Sequence, residues 1–235
     1  MTHRNLFSAS IPIFLLLALV SNASAVWSSD NDNMKVYVEP ATSVVVVYTT
    51  FKVNVNIADA SDPGVYAYEF RLYYNNSLLK GIDVTFPEGH FLTPTRPGDI
   101  FILQPIINQS EGYIWVGACL LGDESACGNG TLVTITFKAE KIGSSNLTIS
   151  YCYFFGPYSQ EYTVTLYNGL VEVILPDFNS DGRVDGSDLD IIAQAFRSYP
   201  SHERWNPICD VNKDSKINIL DIAVTAKSFG KTPSK

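Results

Sequence analysis

Apolar and polar positions alternate with a period of two over much of the chain between Lys35 and Leu175. Phe51, Val53, Val55 and Ile57 interleave with Lys52, Asn54 and Asn56. Tyr66, Tyr68, Phe70, Leu72 and Tyr74 interleave with Ala67, Glu69, Arg71 and Tyr73, and Val133, Ile135, Phe137 and Ala139 with Thr134, Thr136 and Lys138. Successive side chains of a strand point to opposite faces, so each run predicts a strand with one apolar and one wet face. Asp62-Pro63-Gly64, Pro87-Glu88-Gly89, Arg96-Pro97-Gly98-Asp99 and Gly128-Asn129-Gly130 read as turns between strands, and Asn168-Gly169 as a two-residue hairpin turn. Strands of this kind bury their apolar faces best against a second sheet, which predicts a β-sandwich over residues 33–175.

Beyond Pro176 the alternation stops. Eight of the 15 Asp fall between Asp177 and Asp221, and DFNSDGRVDGSDLDIIAQAF at 177–196 aligns with DVNKDSKINILDIAVTAKSF at 210–229. As twelve-residue loops, the repeats place Asp177, Asn179, Asp181, Arg183, Asp185 and Asp188 at positions 1, 3, 5, 7, 9 and 12, and Asp210, Asn212, Asp214, Lys216, Asn218 and Asp221 likewise. These are the positions from which an EF-hand-type loop supplies oxygen to Ca²⁺, position 7 through its backbone carbonyl and position 9 often through water. Arg183 and Lys216 therefore contribute main-chain oxygen whatever their side chains. Hard oxygen donors without His or Cys favour Ca²⁺ over Zn²⁺ or copper, and the pattern predicts two ions. A solvated acidic face would not need the same ligands twice in register. Loop one has four carboxylates and Gly182 at position 6; loop two has three and Ser215 there, so loop one is predicted to bind tighter.

Leu189, Ile192 and Phe196, then Ile222, Ala226 and Phe229, give a helical stripe after each loop, and Val184 and Ile217 at position 8 are placed to pair with each other. No helix enters loop one, because the strand-like LVEVIL runs straight into Pro176. About 59 residues give this segment too small a core to fold unaided, which makes the ions its staples.

Composition narrows the partners. With 24 acidic against 16 basic residues the net charge is -8, which argues against nucleic acid or anionic membrane. His3 and Arg4, the apolar run Ile11 to Val20 and the closing Ala23-Ser24-Ala25 predict a signal peptide over 1–25, too short in its apolar part to span a bilayer. The mature chain is then expected to be secreted, with no transmembrane segment, and the sequons at Asn75, Asn108, Asn129 and Asn146 are consistent with export. In an oxidising compartment Cys119 and Cys127, eight residues apart, are the best-placed disulfide pair, while Cys152 and Cys209 fall in different segments.

The loop-helix repeat with Asp at position 12, no entering helix and Trp205-Asn206-Pro207 before the second loop resembles a type I dockerin over 177–231. VYVEP at 36–40, GVYAYEFRLYYNNSLL at 64–79 and GNGTLVTITFKAEKIG at 128–143 resemble a cohesin module. The resemblance implies a mainly β protein: a jelly-roll sandwich that receives dockerins, followed by a small all-α dockerin that docks in a Ca²⁺-dependent manner in extracellular complexes for polysaccharide degradation. By the same resemblance, loop positions 10 and 11 contact the partner, here Gly186 and Ser187 in one repeat and Ile219 and Leu220 in the other, with Gln194, Arg197 and Lys227 as nearby polar contacts. The unlike pairs argue against symmetric two-way docking. Glu69, Arg71, Tyr73 and the stretch Tyr113 to Leu121 are candidates for the receiving face. The near-absence of a linker at Pro176 predicts that the tail does not fold back on its own sandwich, so docking between chains is expected, head-to-tail association included.

The expected role is a non-catalytic adaptor whose partners bear cohesins or dockerins. A carbohydrate-binding module carried by a dockerin is the alternative, motivated by Tyr151, Tyr153, Phe154, Phe155 and Tyr158. An enzyme is disfavoured: His90 and His202 sit in no triad or metal motif, and Glu69, Glu88, Glu111 and Glu161 show no pairing.

Overall fold

The computed structural model describes residues 33–93 and 98–232. The signal peptide at 1–25 and part of the turn at 96–99 lie outside the described residues. The alternating runs form β-strands: β1 (Lys35–Glu39), β2 (Thr42–Val46), β3 (Thr50–Val65), β4 (Ala67–Tyr73), β5 (Leu79–Thr85), β6 (Ile100–Ile102), β7 (Ile106–Asn108), β8 (Tyr113–Leu120), β9 (Ala126–Ala139), β10 (Gly143–Phe155), β11 (Glu161–Tyr162), β12 (Thr165–Tyr167) and β13 (Gly169–Ile174). One sheet has the order β12-β1-β3-β9-β5; the other runs β2-β13-β10-β4-β8-β6, with β11 on β10 and β7 on β8. Val53, Val55, Ile57, Ile135 and Phe137 of the first face Tyr68, Phe70, Leu72 and Phe154 of the second across one buried core. The predicted apolar faces and the sandwich are therefore observed.

Three of the predicted turns differ. Asn168-Gly169 is no hairpin: β12 pairs in parallel with β1, whereas β13 pairs with β10 and β2, so the dipeptide carries the chain from one sheet to the other. Asn168 Oδ1 accepts the Ile149 amide there, and a Cβ on Gly169 would meet Val38 at 2.7 Å. Asp62-Pro63-Gly64 and Gly128-Asn129-Gly130 lie inside β3 and β9, whose pairing shifts register around Ala60. Asn129 Oδ1 accepts the Asp59 amide across that irregular stretch. Pro87-Glu88-Gly89 does turn, the His90 amide donating to Pro87 O at 3.0 Å.

Cys119 and Cys127 are not bonded; all four cysteines are free thiols. Cys119 pairs with Ala67 and Phe101 in one sheet, while Cys127 stands on β9 in the other. Burial pushes the Cys152 thiol up to about 12 and that of Cys209, beside Asp221, up to about 11. In the native reduced chain at neutral pH, exposed Cys127 is expected to react with a thiol reagent well before Cys152 and Cys209. Equal rates at all three would contradict this burial pattern.

The C-terminal module contains α1 (Gly186–Gln194), a single 3-10 turn (Pro207–Cys209) and α2 (Ile219–Lys227). Its core is small, with Ile192, Ala195, Cys209 and Ile217 buried and Phe178, Trp205 and Ile222 half-covering them. The predicted helical stripe holds at Ile192 of α1, which is buried, but in α2 it is one residue out of phase. Asp221, Thr225 and Ser228 are buried, whereas Ala226 and Phe229 are exposed. The position-12 carboxylate sets this phase: Asp188 and Asp221 turn inward to their loops, which carries inward the residues four and seven further on.

The module also touches its own sandwich, contrary to expectation. β13 ends beside β2, with Ile174 paired to Val46, so the chain leaves the sandwich next to Tyr48. The short connection thus brings the module against that edge instead of keeping it away.

Candidate calcium loops and docking faces

In loop one the carboxylates gather backbone amides. Asp177 Oδ2 accepts from Gly182, and Asp181 Oδ1 from Arg183. Asp188 Oδ1 accepts from Phe178 at 2.7 Å and Asn179 at 3.4 Å, and its Oδ2 from Asp185 at 2.9 Å. Loop two repeats this: Asp210 accepts from Asp214 and Ser215, and Asp221 from Val211, Asn212 and Asn218. Asp185 and Asn218 each cap the following helix in a reciprocal capping box. Burial raises the Asp221 carboxyl above the ordinary aspartate range, the amides of Asn218 and Asn212 draw it back, and Asp210 and Asp214 push it up again.

Among the described residues no three His, Cys, Asp or Glu side chains stand close enough to hold one metal ion. The donor set nonetheless fits calcium. Each loop combines carboxylates with an Asn side-chain oxygen and a position-7 carbonyl, all hard oxygens. In loop one Asp177 Oδ1 is buried without a hydrogen-bond partner. That orphaned oxygen at position 1 is satisfied by a cation and otherwise carries a desolvation cost.

Backbone conformation follows the same register. Positions 4 and 6 are left-handed in both loops: Ser180 and Gly182 at φ 59° and 88°, Lys213 and Ser215 at 59° and 66°. A side chain there costs about 1 kcal/mol relative to glycine. Ser215→Gly is therefore expected to strengthen calcium binding at loop two and stabilise the module by up to about 1 kcal/mol, read by calcium-dependent thermal unfolding; destabilisation would contradict it. The charge difference gives a second expectation. Asp177→Ala costs more calcium affinity than Asp210→Ala in calorimetric titration, and equal losses would count against it.

Val184 and Ile217 do not pair with each other. Val184 exchanges backbone hydrogen bonds with Gly230 and Lys231 after α2, and Ile217 with Arg197 and Ser198 after α1. The two pairs of bonds are identical under the repeat, so the module has pseudo-twofold symmetry with each helix start beside the other helix's end. Gly186 and Ser187 thus share one end with the Lys227–Lys231 tail, and Ile219 and Leu220 share the other with Arg197. Gly186, Ser187, Gln194, Ile219 and Leu220 are all exposed, the last two by 64% and 58%. Lys227 is engaged, its Nζ 4.0 Å from the centre of the Tyr48 ring in the sandwich. Tyr48, Lys213 and Lys231 carry contacts that the sequence did not single out.

On the sandwich, β4, β8 and β10 present one outer face. Ile114 and Val116 are buried, so Tyr113 and Trp115 point outward beside Glu69, Arg71 and Tyr73. Arg71 lies between two rings, 4.9 Å from Tyr113 and 4.8 Å from Tyr151, and Nη1 donates to the Tyr73 hydroxyl at 3.5 Å. Tyr151 reaches it from a β-bulge between Ser150 and Tyr153, where its φ is 46°. Burial raises the Glu69 carboxyl, and the Trp115 side chain, hydrogen-bonded to it, opposes that shift. Apolar Phe101 and Ile106 extend the exposed surface on β6 and β7.

A family model described as the cohesin domain matches residues 34–173, and one described as the dockerin type I domain matches 175–230. The chain belongs to the cohesin family. Its C-terminal module is a type I dockerin domain, and such domains bind calcium. No curated protein sequence matches the chain. Among solved structures, a chain of a type I cohesin–dockerin complex from Clostridium thermocellum is 18% identical with a TM-score of 0.50, over 61% of this chain and 100% of that one. A type II cohesin domain from the cellulosome of Acetivibrio cellulolyticus is 10% identical with a TM-score of 0.50, over 59% and 95%. A non-cellulosomal cohesin from Archaeoglobus fulgidus is 17% identical with a TM-score of 0.48, over 62% and 94%. The first two likenesses concern the fold alone. Cohesin and dockerin domains are non-catalytic interaction modules, so the chain is a cohesin–dockerin interaction protein. Among the described residues no helix is long and apolar enough to cross a membrane.

Proposed function

We propose that the protein is a secreted, non-enzymatic adaptor in extracellular assemblies linked to polysaccharide degradation: its cohesin receives a dockerin and its dockerin, organised by two calcium ions, docks on another protein's cohesin. The observation that carries this reading is the presence of both complementary modules in one chain. Asp177, Asn179, Asp181, Asp185 and Asp188 would hold one ion and Asp210, Asn212, Asp214, Asn218 and Asp221 the other, with Arg183 and Lys216 giving carbonyl oxygen. Bound calcium supplies the charge that keeps these acidic loops closed. The chain's own part is to hold the helices in register through the capping boxes and the buried position-12 carboxylates. The 1–25 segment and the extracellular habit of such proteins support secretion.

On the cohesin, Arg71 in its tyrosine cradle is the natural anchor, because arginine and tyrosine dominate interface energetics. The same cradle argues against the sugar-binding reading. Tyr113 and Tyr151 each have one ring face covered by the guanidinium, Phe154 is buried, and Tyr158, 83% exposed, stands outside the cradle. The test is capture from culture medium with calcium and with chelator. Arg71→Glu is expected to lose dockerin-bearing partners and Ile219→Asp/Leu220→Asp cohesin-bearing ones. Partners held equally by all variants and in chelator would overturn the reading, and retardation in polysaccharide gels without any protein partner would favour the sugar binder.

A further inference from the structure

Most strands at the open edges of the two sheets carry their own protection against pairing with another chain. β6, β7, β11 and β12 are only two or three residues long. β5, at the edge of the five-stranded sheet, carries Lys80 and Asp83 and breaks register between Gly81 and Asp83. Shortness, charge and irregularity are the usual means of blunting an open edge. β2 has none of them. It ends the eight-stranded sheet with β13 as its one strand neighbour among the described residues, in a regular parallel register. From Thr42 to Phe51 the sequence TSVVVVYTTF holds no charge and no proline, the composition of a segment prone to pair with its like.

The C-terminal module supplies what β2 lacks. Lys213 of loop two donates from Nζ to Val44 O at 2.9 Å, placing on the edge a positive charge that the strand itself does not carry. Lys227 and Lys231 place their ammonium groups 4.0 Å and 4.4 Å from the centre of the Tyr48 ring, just beyond the strand. Loop one adds an apolar contact. Val184 is fully buried within the core cluster of the sandwich, whereas Ile217, its equivalent in the repeat, is buried in the module's own core. Both loops thus hold the module on the sandwich. A groove of about 480 Å³, lined by Ser43, Val44, Val45, Asn212 and Lys213 among others, stays open between the two, so the module shields the strand without joining its ladder.

We infer that the C-terminal module is the cover of this edge, and that β2, once uncovered, pairs antiparallel with β2 of a second copy of the chain. An open strand edge offers a row of backbone donors and acceptors that another edge can complete. Pairing of like with like about a twofold axis uses both edges at once and stops at a dimer. Neither step requires the module to dock on a partner's cohesin.

Sedimentation of the full chain in calcium tests both steps, with Arg71→Glu as background to remove docking between copies. This background chain is expected to sediment as a monomer. Adding Val184→Asp/Lys213→Ala is expected to shift it to a dimer: a carboxylate is not held among apolar side chains, so the edge is uncovered whether loop one shifts or unfolds. Val44 is exposed, and adding Val44→Lys, which puts a charge on the edge without touching the core, is expected to restore the monomer. A monomer despite Val184→Asp/Lys213→Ala would overturn the inference. A dimer that Val44→Lys leaves in place would overturn the role of β2. A dimer already present in the background chain and lost with Val44→Lys would show the edge standing open and overturn the cover.

Discussion

Asp188→Ala is expected to unfold the dockerin while leaving the sandwich intact. The Asp188 carboxylate is fully buried and accepts amides from Phe178, Asn179 and Asp185, joining the start of loop one to the start of α1. Alanine leaves those part-buried amides without their acceptor, and an amide orphaned away from water costs about 1–3 kcal/mol. The module has little to set against this loss. Its buried apolar core consists mainly of Ile192, Ala195, Cys209 and Ile217, and both helices are nine residues long, below the roughly 12–15 at which isolated helices become even marginal. Amide NMR is expected to show residues 177–230 collapsing to random-coil positions while the β3 and β9 signals persist. Retention of dispersed dockerin signals would contradict the role given to Asp188.

Phe137→Ala is expected to destabilise the sandwich by about 3–5 kcal/mol, the range for a large aromatic removed from a core that cannot close the gap. Phe137 is fully buried on β9, stacked on Phe51 at 5.7 Å and meeting Tyr74 edge-on at 5.1 Å. Each such pair adds about 0.5–1.5 kcal/mol beyond area burial. The neighbours lie on strands paired on either side of β9 or continuous with β4, so the backbone is fixed by ladders and little collapse is available. The change is read as a lowered urea midpoint with unchanged slope. A loss below about 1 kcal/mol would contradict the packing described.

The strands were legible because one wet face forces alternation: Val53, Val55, Ile57 and Tyr68, Phe70, Leu72 are buried as their spacing predicts. Sheet membership was not. Asn168-Gly169 satisfies the hairpin pattern, yet a period of two says nothing about which sheet a strand joins, and β12 and β13 join different ones. The two acidic loops were legible as repeats, and Ile192 is buried as its spacing predicts, but hydrophobicity alone does not give the phase of α2. Asp221 must turn inward to its loop, and Thr225 and Ser228 follow it, their hydroxyls bonding Asp221 O and Val224 O along the helix. The contact of Tyr48 with Lys227 and Lys231 was not legible, because it joins a turn to lysines far away in sequence and leaves no local pattern. Tyr151 was noticed as an aromatic, but only the bulge aims it at Arg71.

In the function proposed, calcium organises the C-terminal module into a docking element. The most direct measurement is the amide NMR spectrum of the full chain before and after the ion is removed by a chelator. Loss of dispersion confined to the dockerin, restored by added Ca²⁺, is the result expected; a spectrum indifferent to chelation across 177–230 would contradict it.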